Sequence, residues 1–200
     1  MAISASDVKE LRQRTGAGMM DCKNALQETA GDFEKAVNLL REKGIAVAAK
    51  RESRAATEGV IGAYIHTGGQ IGVMVEMNCE TSFVAKTDEF QALARDIAMQ
   101  IAWGEPRYIS RSEITEDAIK QEQEIHRQWA INEGKPEQAL GKIVVGRMEK
   151  FYAEVCLLDQ AFIRDGEKTV HDVINDIMGK LGEKIVLRRF ARYRVGEELG

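Results

Sequence analysis

The sequence predicts an α+β protein in which a small domain of three helices precedes a core of helices packed on a three-stranded antiparallel sheet. Two patterns support this prediction. Apolar residues recur at helical spacing through residues 6–44. From residue 59 onward, runs rich in β-branched side chains alternate with further helical segments. We therefore expect a helical domain with its linker at residues 1–54 and an α+β core at residues 55–200.

The N-terminal domain is predicted to contain three short helices. Ser6 is the expected N-cap of the first helix, and a turn with two glycines ends it. The second helix is expected at residues 19–29. The third is expected at residues 32–44, where Asp32 is the N-cap. Residues 45–58 are rich in Ala, Lys and Arg, so we expect them to form a helical or flexible connector.

The strands of the core are predicted from runs of β-branched residues. Residues 60–66 and 71–79 form two such runs, and the four residues between them include two glycines that can adopt the positive φ of a hairpin turn. The last strand is expected at residues 184–193. Residues 153–158 also have the composition of a strand. Because a hairpin joins antiparallel strands, we expect an antiparallel sheet.

Helices are predicted between these strands. The first follows Thr87, a good N-cap, and has an apolar face formed by Phe90, Leu93, Ala94, Ile97, Ala98 and Ile101. Two helices with many charged residues are expected at residues 114–132 and 136–151. A further amphipathic helix follows Thr169, which is its expected cap.

Charge and cysteine content limit the classes of function. The chain has 28 Lys and Arg against 32 Asp and Glu, a net charge of −4, whereas generic polyphosphate binders are strongly basic. Cys22, Cys79 and Cys156 lie far apart, which disfavours a disulfide framework and a zinc site. No apolar run has the length of a membrane span, and the N-terminus lacks the features of a signal peptide. We expect a cytoplasmic protein without a metal or a cofactor.

The segment after the second strand is the first candidate interaction site. Phe83 and Val84 are apolar residues in a turn that would otherwise be polar. Val84 is expected about as often in the local core as at the surface. Phe83 is the better candidate for function, because a rigid aromatic side chain at a loop tip can insert into a partner's pocket at a low cost in entropy.

The turn between the first two helices is the second candidate site. Met19 and Met20 follow this turn directly, so they cannot both face a three-helix core. Exposed methionines suit partner docking because their side chains adapt in shape. An equally good interpretation is that one methionine is buried and the other has no role. The glycines of this turn lack the strand and the spacing of a phosphate-binding loop.

Two other functions are weighed and disfavoured. Residues 188–194 combine four arginines with two aromatic side chains, a pattern that could clamp single-stranded nucleic acid, but the negative net charge argues against it. Cys79 could be an activated thiol, yet its acidic neighbours Glu76 and Glu80 would raise its pKa rather than lower it. His66, His126 and His171 lie in different elements, and we predict no catalytic residue.

Two extended segments resemble the signatures of the elongation factor Ts family. They are residues 11–26, LRQRTGAGMMDCKNAL, and residues 76–86, EMNCETSFVAK. The resemblance continues through the motifs GKP at residues 134–136, GRM at 146–148 and RRF at 188–190, so it covers essentially the whole chain. Two long motifs in the right order are far more specific than one short pattern. The chain resembles the short bacterial form, which has one copy of the core.

The resemblance implies a ubiquitin-associated-like (UBA-like) three-helix domain and an α+β core that also carries dimerisation. It implies a guanine nucleotide exchange factor for translation elongation, not an enzyme. Such a factor binds elongation factor Tu with GDP, disturbs its Mg²⁺ site and promotes GDP release so that GTP can rebind. The residues that match the family's Mg²⁺-displacing loop are Thr81, Ser82, Phe83 and Val84. Those that match its docking residues on the helical domain are Arg12, Met19 and Met20. Short members are expected to be homodimers, with no direct contact to membrane or nucleic acid.

The sequence departs from the family pattern at three positions. Ser82 stands where the family usually has Asp, so any electrostatic role of that carboxylate is lost. Gln100 replaces a family histidine, and Ala161 replaces a proline. Because Phe83 is retained, we expect exchange activity to survive with a changed rate.

Overall fold

The computed structural model describes residues 3–15, 17–51 and 54–198, and the side chains of residues 44–51 are not included in the description. It confirms the predicted α+β class. Three N-terminal helices are followed by a three-stranded antiparallel sheet packed by helices. The predicted domain boundary between residues 54 and 55 stays a prediction.

The chain forms two compact units. The first contains three segments, Met1–Ile61, Glu76–Ala94 and Asp172–Arg188. The second contains Gly62–Val75, Arg95–His171 and Arg189–Gly200. Each unit therefore combines parts of the chain that are distant in sequence. The candidate residues of both signature segments belong to the first unit.

The three N-terminal helices of the first unit are α1 (Ala5–Thr15), α2 (Met19–Glu28) and α3 (Phe33–Arg51). They surround a small core that consists of Val8, Leu11, Cys22, Ala25, Leu26 and Ala36. The predicted helices are thus present, and their apolar spacing explains why they pack, because each places one apolar face inward. Helix α3 continues past the predicted end at residue 44 and includes the first part of the expected connector.

The N-cap of α1 is Ser4, so the prediction of Ser6 was wrong. The Ser4 hydroxyl oxygen accepts a hydrogen bond from the backbone N–H of Asp7 at 3.1 Å, and the Asp7 carboxylate accepts one from the N–H of Ser4 at 3.0 Å. This reciprocal arrangement satisfies two N–H groups at the helix start, which Ser6 inside the first turn could not do. The predicted cap of α3 is confirmed, since Asp32 accepts a hydrogen bond from the N–H of Lys35 at 3.1 Å.

The sheet contains β1 (Glu58–Ile65), β2 (Ile71–Cys79) and β5 (Val186–Arg194), in the order β1-β2-β5. The predicted hairpin joins β1 to β2. Its glycines, Gly68 and Gly69, have φ angles of +90° and +71°, which L side chains rarely adopt. A smaller antiparallel pair, β3 (Ala161–Phe162) with β4 (Asp165–Thr169), was not predicted from the sequence.

Five further helices lie within residues 54–198. They are α4 (Ser82–Ala85), α5 (Asp88–Gly104), α6 (Glu116–Asn132), α7 (Glu137–Val155) and α8 (Val170–Leu181), and short 3-10 turns occur at Arg111–Glu113 and Leu157–Asp159. The six residues predicted for the apolar face of α5 are all buried. None of the helices in the described ranges combines the length and the apolar composition that crossing a lipid bilayer requires.

The predicted strand at residues 153–158 was wrong. Helix α7 continues to Val155, Cys156 forms a single parallel bridge with Tyr108, and a 3-10 turn follows. Val155 and Cys156 are buried with Ile114, so the apolar run reflects the burial of a helix end rather than of a strand. Composition alone cannot separate these two cases in a run of six residues.

Candidate interaction site

The segment after β2, predicted from the sequence to be a turn, forms the single helical turn α4. Val84 and Ala85 point into the protein, with 9% and 6% of their surface exposed. Phe83 exposes 83% of its surface, the largest fraction among the exposed large apolar residues of the described chain. Val84 therefore lies in the local core, one of the two alternatives that the sequence left open, and the side chain of Phe83 is exposed to solvent.

Two threonines define the ends of this turn. Thr81 is its N-cap, and the Thr81 hydroxyl oxygen accepts a hydrogen bond from the N–H of Val84 at 3.4 Å. The Thr87 hydroxyl donates to the carbonyl of Val84 at 2.8 Å and accepts from the N–H of Phe90 at 3.3 Å, which begins α5. Threonine favours such positions because its hydroxyl replaces the missing backbone partners at a helix end. Ser82 is the first residue of α4 and is half-buried.

The same turn is tied to the segment between α8 and β5. The Glu183 carboxylate accepts hydrogen bonds from both the backbone N–H and the hydroxyl of Thr81, at 3.0 Å and 2.6 Å. The residues next to this pair are also linked: the Glu80 carboxylate accepts a hydrogen bond from the backbone N–H of Lys184 at 2.6 Å. Sequence reasoning missed Glu183, because no local pattern links positions 102 residues apart.

Cys79 lies at the base of this segment and is not a reactive thiol. Its side chain is fully buried, and its Sγ donates to the carbonyl of Thr81 at 3.2 Å. Burial raises the pKa of the Cys79 thiol, and the negative charge of Glu183 raises it further. A thiol held in its protonated form is a poor nucleophile. The structure therefore supports the interpretation of Cys79 as a small buried residue at a strand end.

The second group of candidate residues lies around the turn between α1 and α2. Arg12 is exposed near the end of α1. Met19 and Met20, the first residues of α2, expose 47% and 63% of their surface, so neither is buried in the three-helix core. The Thr15 hydroxyl supports this turn: it donates to the carbonyl of Leu11 at 2.8 Å and accepts from the N–H of Ala17 at 3.3 Å. The methionines are thus exposed at the start of α2.

The arginines of β5 have acidic neighbours, which argues against nucleic-acid binding by this strand. In the first unit, Arg188 lies 3.6 Å from the Glu76 carboxylate. In the second unit, Arg192 pairs with Glu105 and with Glu197. Arg194 also reaches Glu105, at 3.5 Å. Three of the four arginines of this strand thus have a carboxylate partner, which disfavours phosphate binding here.

Gln100, which replaces the family histidine, belongs to a buried hydrogen-bond network in the second unit. Its Nε2 donates to Gln160 Oε1 at 3.0 Å and to the carbonyl of Ala161 at 3.2 Å, and its Oε1 accepts from the N–H of Ile163 at 2.7 Å. Gln160 in turn donates to the carbonyls of Gly104 and Glu154. Both side chains are buried and hydrogen-bonded, so we assign them a structural role.

The described residues present exposed apolar side chains at two places in the first unit. Among residues 3–15, 17–51 and 54–198, no group of three His, Cys, Asp or Glu side chains is arranged to hold a metal ion. The features that stand out are an exposed aromatic side chain on the turn α4 and two exposed methionines at the start of α2. Such apolar groups on ordered backbone are typical of protein–protein contacts.

Comparison with known proteins agrees with the family resemblance of the two signature segments. The family model described as "Elongation factor TS" matches residues 3–197. Curated proteins named elongation factor Ts match 98% of the chain: 61% identity in Desulforamulus reducens (91% of that protein covered), 59% in Caldanaerobacter subterraneus (98%) and 58% in Moorella thermoacetica (96%). The match includes both signature segments and the exposed turns. The chain belongs to the elongation factor Ts family.

Proposed function

We propose that this protein is a guanine nucleotide exchange factor that binds elongation factor Tu with GDP, disturbs its Mg²⁺ site and promotes GDP release during translation elongation. The elongation factor Ts family is known for this exchange. The observation that carries the proposal is Phe83, 83% exposed on a helical turn whose backbone is held at both ends. An exposed aromatic side chain on fixed backbone is suited to enter a partner.

The proposed mechanism is differential binding. A GTPase holds GDP through charge-assisted phosphate contacts and through Mg²⁺. A factor accelerates release only if it binds the nucleotide-free form more tightly, since equal affinity for both forms shifts no population. Phe83 would insert beside the Mg²⁺ site of the partner and displace the groups that hold the metal. Octahedral Mg²⁺ tolerates little distortion, so a small displacement is enough to weaken it.

The helical domain would supply affinity. Met19 and Met20 present apolar, adaptable side chains at the start of α2, and Arg12 adds a charged group on α1. We propose that these residues dock on the nucleotide-binding domain of the partner, while the Thr81–Val84 turn acts at the metal site. The two groups therefore have separate roles: the helical domain determines affinity, and the turn determines the rate of release.

We also propose that the factor is a homodimer, catalyses no chemical reaction of its own and acts in the cytoplasm with its partner. Exposed apolar side chains on the hairpin of the second unit support self-association. Ile65 exposes 67% and Met74 55% of their surface, and these two residues lie on neighbouring strands. Burying such groups against a second copy would remove apolar surface from water. The concentration dependence of the sedimentation coefficient measures this association.

The test of the proposed function is the release of a fluorescent GDP analogue from elongation factor Tu. The protein is added in substoichiometric amounts, with excess unlabelled GDP to prevent rebinding. We expect acceleration with multiple turnovers. As a control, a chelator removes Mg²⁺ from elongation factor Tu. Spontaneous GDP release should then be faster, and the factor should accelerate it less, because the metal ion that the factor is proposed to disturb is already absent.

One alternative is a scaffold that binds elongation factor Tu without driving exchange. Ser82 favours it, because the family carboxylate at this position is missing. Gln100 also departs from the family, but its buried network points to structure. Tight binding with no change in GDP release would support the scaffold and contradict the proposed function.

A further inference from the structure

Glu183 holds the turn that carries Phe83. It lies between the end of α8 and the start of β5 and is half-buried. Both oxygens of its carboxylate accept hydrogen bonds from one residue, Thr81: Oε2 from the backbone N–H at 3.0 Å and Oε1 from the hydroxyl at 2.6 Å. Hydrogen bonds to a charged acceptor are stronger than neutral ones, so this pair is a strong constraint on Thr81.

The constraint acts on the helical turn through the Thr81 hydroxyl. Because the hydroxyl proton points to Glu183, the oxygen lone pairs remain available to the N–H of Val84, which approaches at 3.4 Å. A helix of four residues cannot form by itself, since its first turn costs more conformational entropy than its hydrogen bonds return. The geometry of α4 therefore depends on the contacts at its N-cap.

A second contact fixes the direction of the turn. Glu80 accepts a hydrogen bond from the backbone N–H of Lys184 at 2.6 Å, next to the bonds between Glu183 and Thr81. Two adjacent links between the same segments resist rotation as well as separation. Phe83 is 83% exposed, so little of its own surface is packed, and its position follows from this backbone.

We infer that Glu183 is a positioning residue for nucleotide exchange: it does not touch the partner's nucleotide, but it holds Phe83 in the orientation that displaces the Mg²⁺ ligands. This inference rests on the proposed function. It predicts that loss of Glu183 lowers the maximal rate of GDP release more than it lowers affinity for elongation factor Tu, because the docking residues Arg12, Met19 and Met20 lie elsewhere.

Two substitutions separate the effect of the length of the Glu183 side chain from the effect of its charge. Glu183→Gln keeps the length of the side chain and one acceptor oxygen but removes the charge. Glu183→Asp keeps the charge but is one methylene shorter, so it cannot reach Thr81 with both oxygens. We expect the maximal rate to fall about tenfold in Glu183→Asp and Glu183→Ala, and less than about threefold in Glu183→Gln. The concentration giving half of the maximal rate should change less than about threefold in all three.

Glu89→Ala is the matched control. Glu89 pairs with Lys180 on α8 at 2.5 Å, so this variant also removes a carboxylate that pairs with a residue near Glu183, without breaking a hydrogen bond to Thr81. The rate of GDP release with this variant should equal the rate with the unsubstituted protein. Thermal unfolding of every variant verifies that it is folded. If Glu183→Ala does not fold, the comparison of Glu183→Gln with Glu183→Asp decides the question.

Amide hydrogen exchange provides a measurement that does not depend on the partner. In Glu183→Asp, a peptide covering residues 79–87 should exchange faster, while peptides from residues 93–104 keep their protection. A uniform increase would indicate general destabilisation and would contradict a positioning role. Equal amide exchange rates at residues 79–87 in Glu183→Asp and the unsubstituted protein would also overturn the positioning role.

The outcomes separate this inference from the proposed function. If the unsubstituted protein fails to accelerate GDP release, the proposed function is wrong, whatever the Glu183 variants do. If it accelerates release and Glu183→Asp is as fast, only the role of Glu183 is wrong. If Glu183→Gln is slower than Glu183→Asp, the charge of Glu183 matters rather than its contact with Thr81, and the inference is likewise overturned.

Discussion

Phe83 and Val84 are consecutive residues of one helical turn, yet 83% of the surface of Phe83 is exposed and only 9% of that of Val84. Consecutive residues of a helix point about 100° apart, so one turn can bury one side chain and present the next. Burying Val84 fixes the backbone on which Phe83 stands. This relationship makes Phe83 the residue whose replacement should affect function most and stability least.

We expect Phe83→Ala to lower the rate of GDP release from elongation factor Tu by about tenfold or more, because it removes the group proposed to enter the partner. Ser82→Ala should lower it less, since Ser82 is half-buried at the start of α4. Stopped-flow release of a fluorescent GDP measures both. The reverse order of the two effects would remove Phe83 as the principal displacing group. The midpoint of unfolding should be unchanged in Phe83→Ala.

Arg12 should contribute to affinity rather than to the rate of release. We expect Arg12→Ala to raise the concentration of factor needed for half of the maximal rate by about fivefold and to leave the maximal rate unchanged. Arg14→Ala is the matched control: Arg14 lies on the same helix, but its guanidinium pairs with Glu34 of the helical domain at 2.9 Å. Equal effects of the two substitutions would contradict a specific docking role of Arg12.

Gln100 should matter for stability. Gln100→Leu keeps a similar volume but leaves the N–H of Ile163 and the Oε1 of Gln160 without this hydrogen-bond partner in a buried site. We expect the free energy of unfolding to fall by about 3 kcal/mol. Urea unfolding followed by tryptophan fluorescence measures it. Gln123→Leu, at an exposed position of α6, is the control and should change stability by less than about 0.5 kcal/mol.

The ion pairs of Arg111 should make the second unit sensitive to acid. The Arg111 guanidinium donates to the Glu149 carboxylate at 3.0 Å and 2.8 Å, and these hydrogen bonds hold the pKa of Glu149 below its ordinary value of 4.5. A lowered carboxyl pKa stabilises the fold above the unfolded value, and this contribution is lost as the pH falls through the lower folded value. The group is exposed, so the effect is small.

Thermal unfolding as a function of pH checks this prediction. The unfolding temperature of Glu149→Gln should lie below that of the unsubstituted protein at about pH 6, and the difference should shrink as the pH falls below 4.5. Glu154→Gln removes an exposed carboxyl group from the same helix and serves as the control. A difference that stays constant from about pH 6 to about pH 3 would contradict the assigned role of the Glu149 charge.

Local patterns predicted much of the fold. The apolar spacing of α5 placed its six core residues correctly, and the two glycines between β1 and β2 marked a hairpin whose turn requires positive φ. The exposure of Phe83 followed from its position between a strand end and the Thr87 cap. These features depend on a few neighbouring residues, so the sequence contains enough information to predict them.

Other features depend on distant partners and could not be predicted in this way. The helical form of α4 depends on Thr81, whose partner Glu183 lies 102 residues away in sequence. The run at residues 153–158 has a strand-like composition, but its apolar side chains are buried at the end of α7. Gln100 looked like a simple loss of a histidine, and only the position of Gln160 reveals the network.

The hydrogen bonds between Thr81 and Glu183 join two segments of the chain that are synthesised at different times. A ribosome adds residue 81 long before residue 183, and its exit tunnel covers the most recently added part of the chain. Glu183 follows Thr81 by 102 residues, so it leaves the tunnel long after Thr81 does. Until then Thr81, the N-cap of α4, lacks its hydrogen bonds to the Glu183 carboxylate. A nascent chain that has not yet reached Glu183 therefore carries Phe83 on a turn without these two hydrogen bonds.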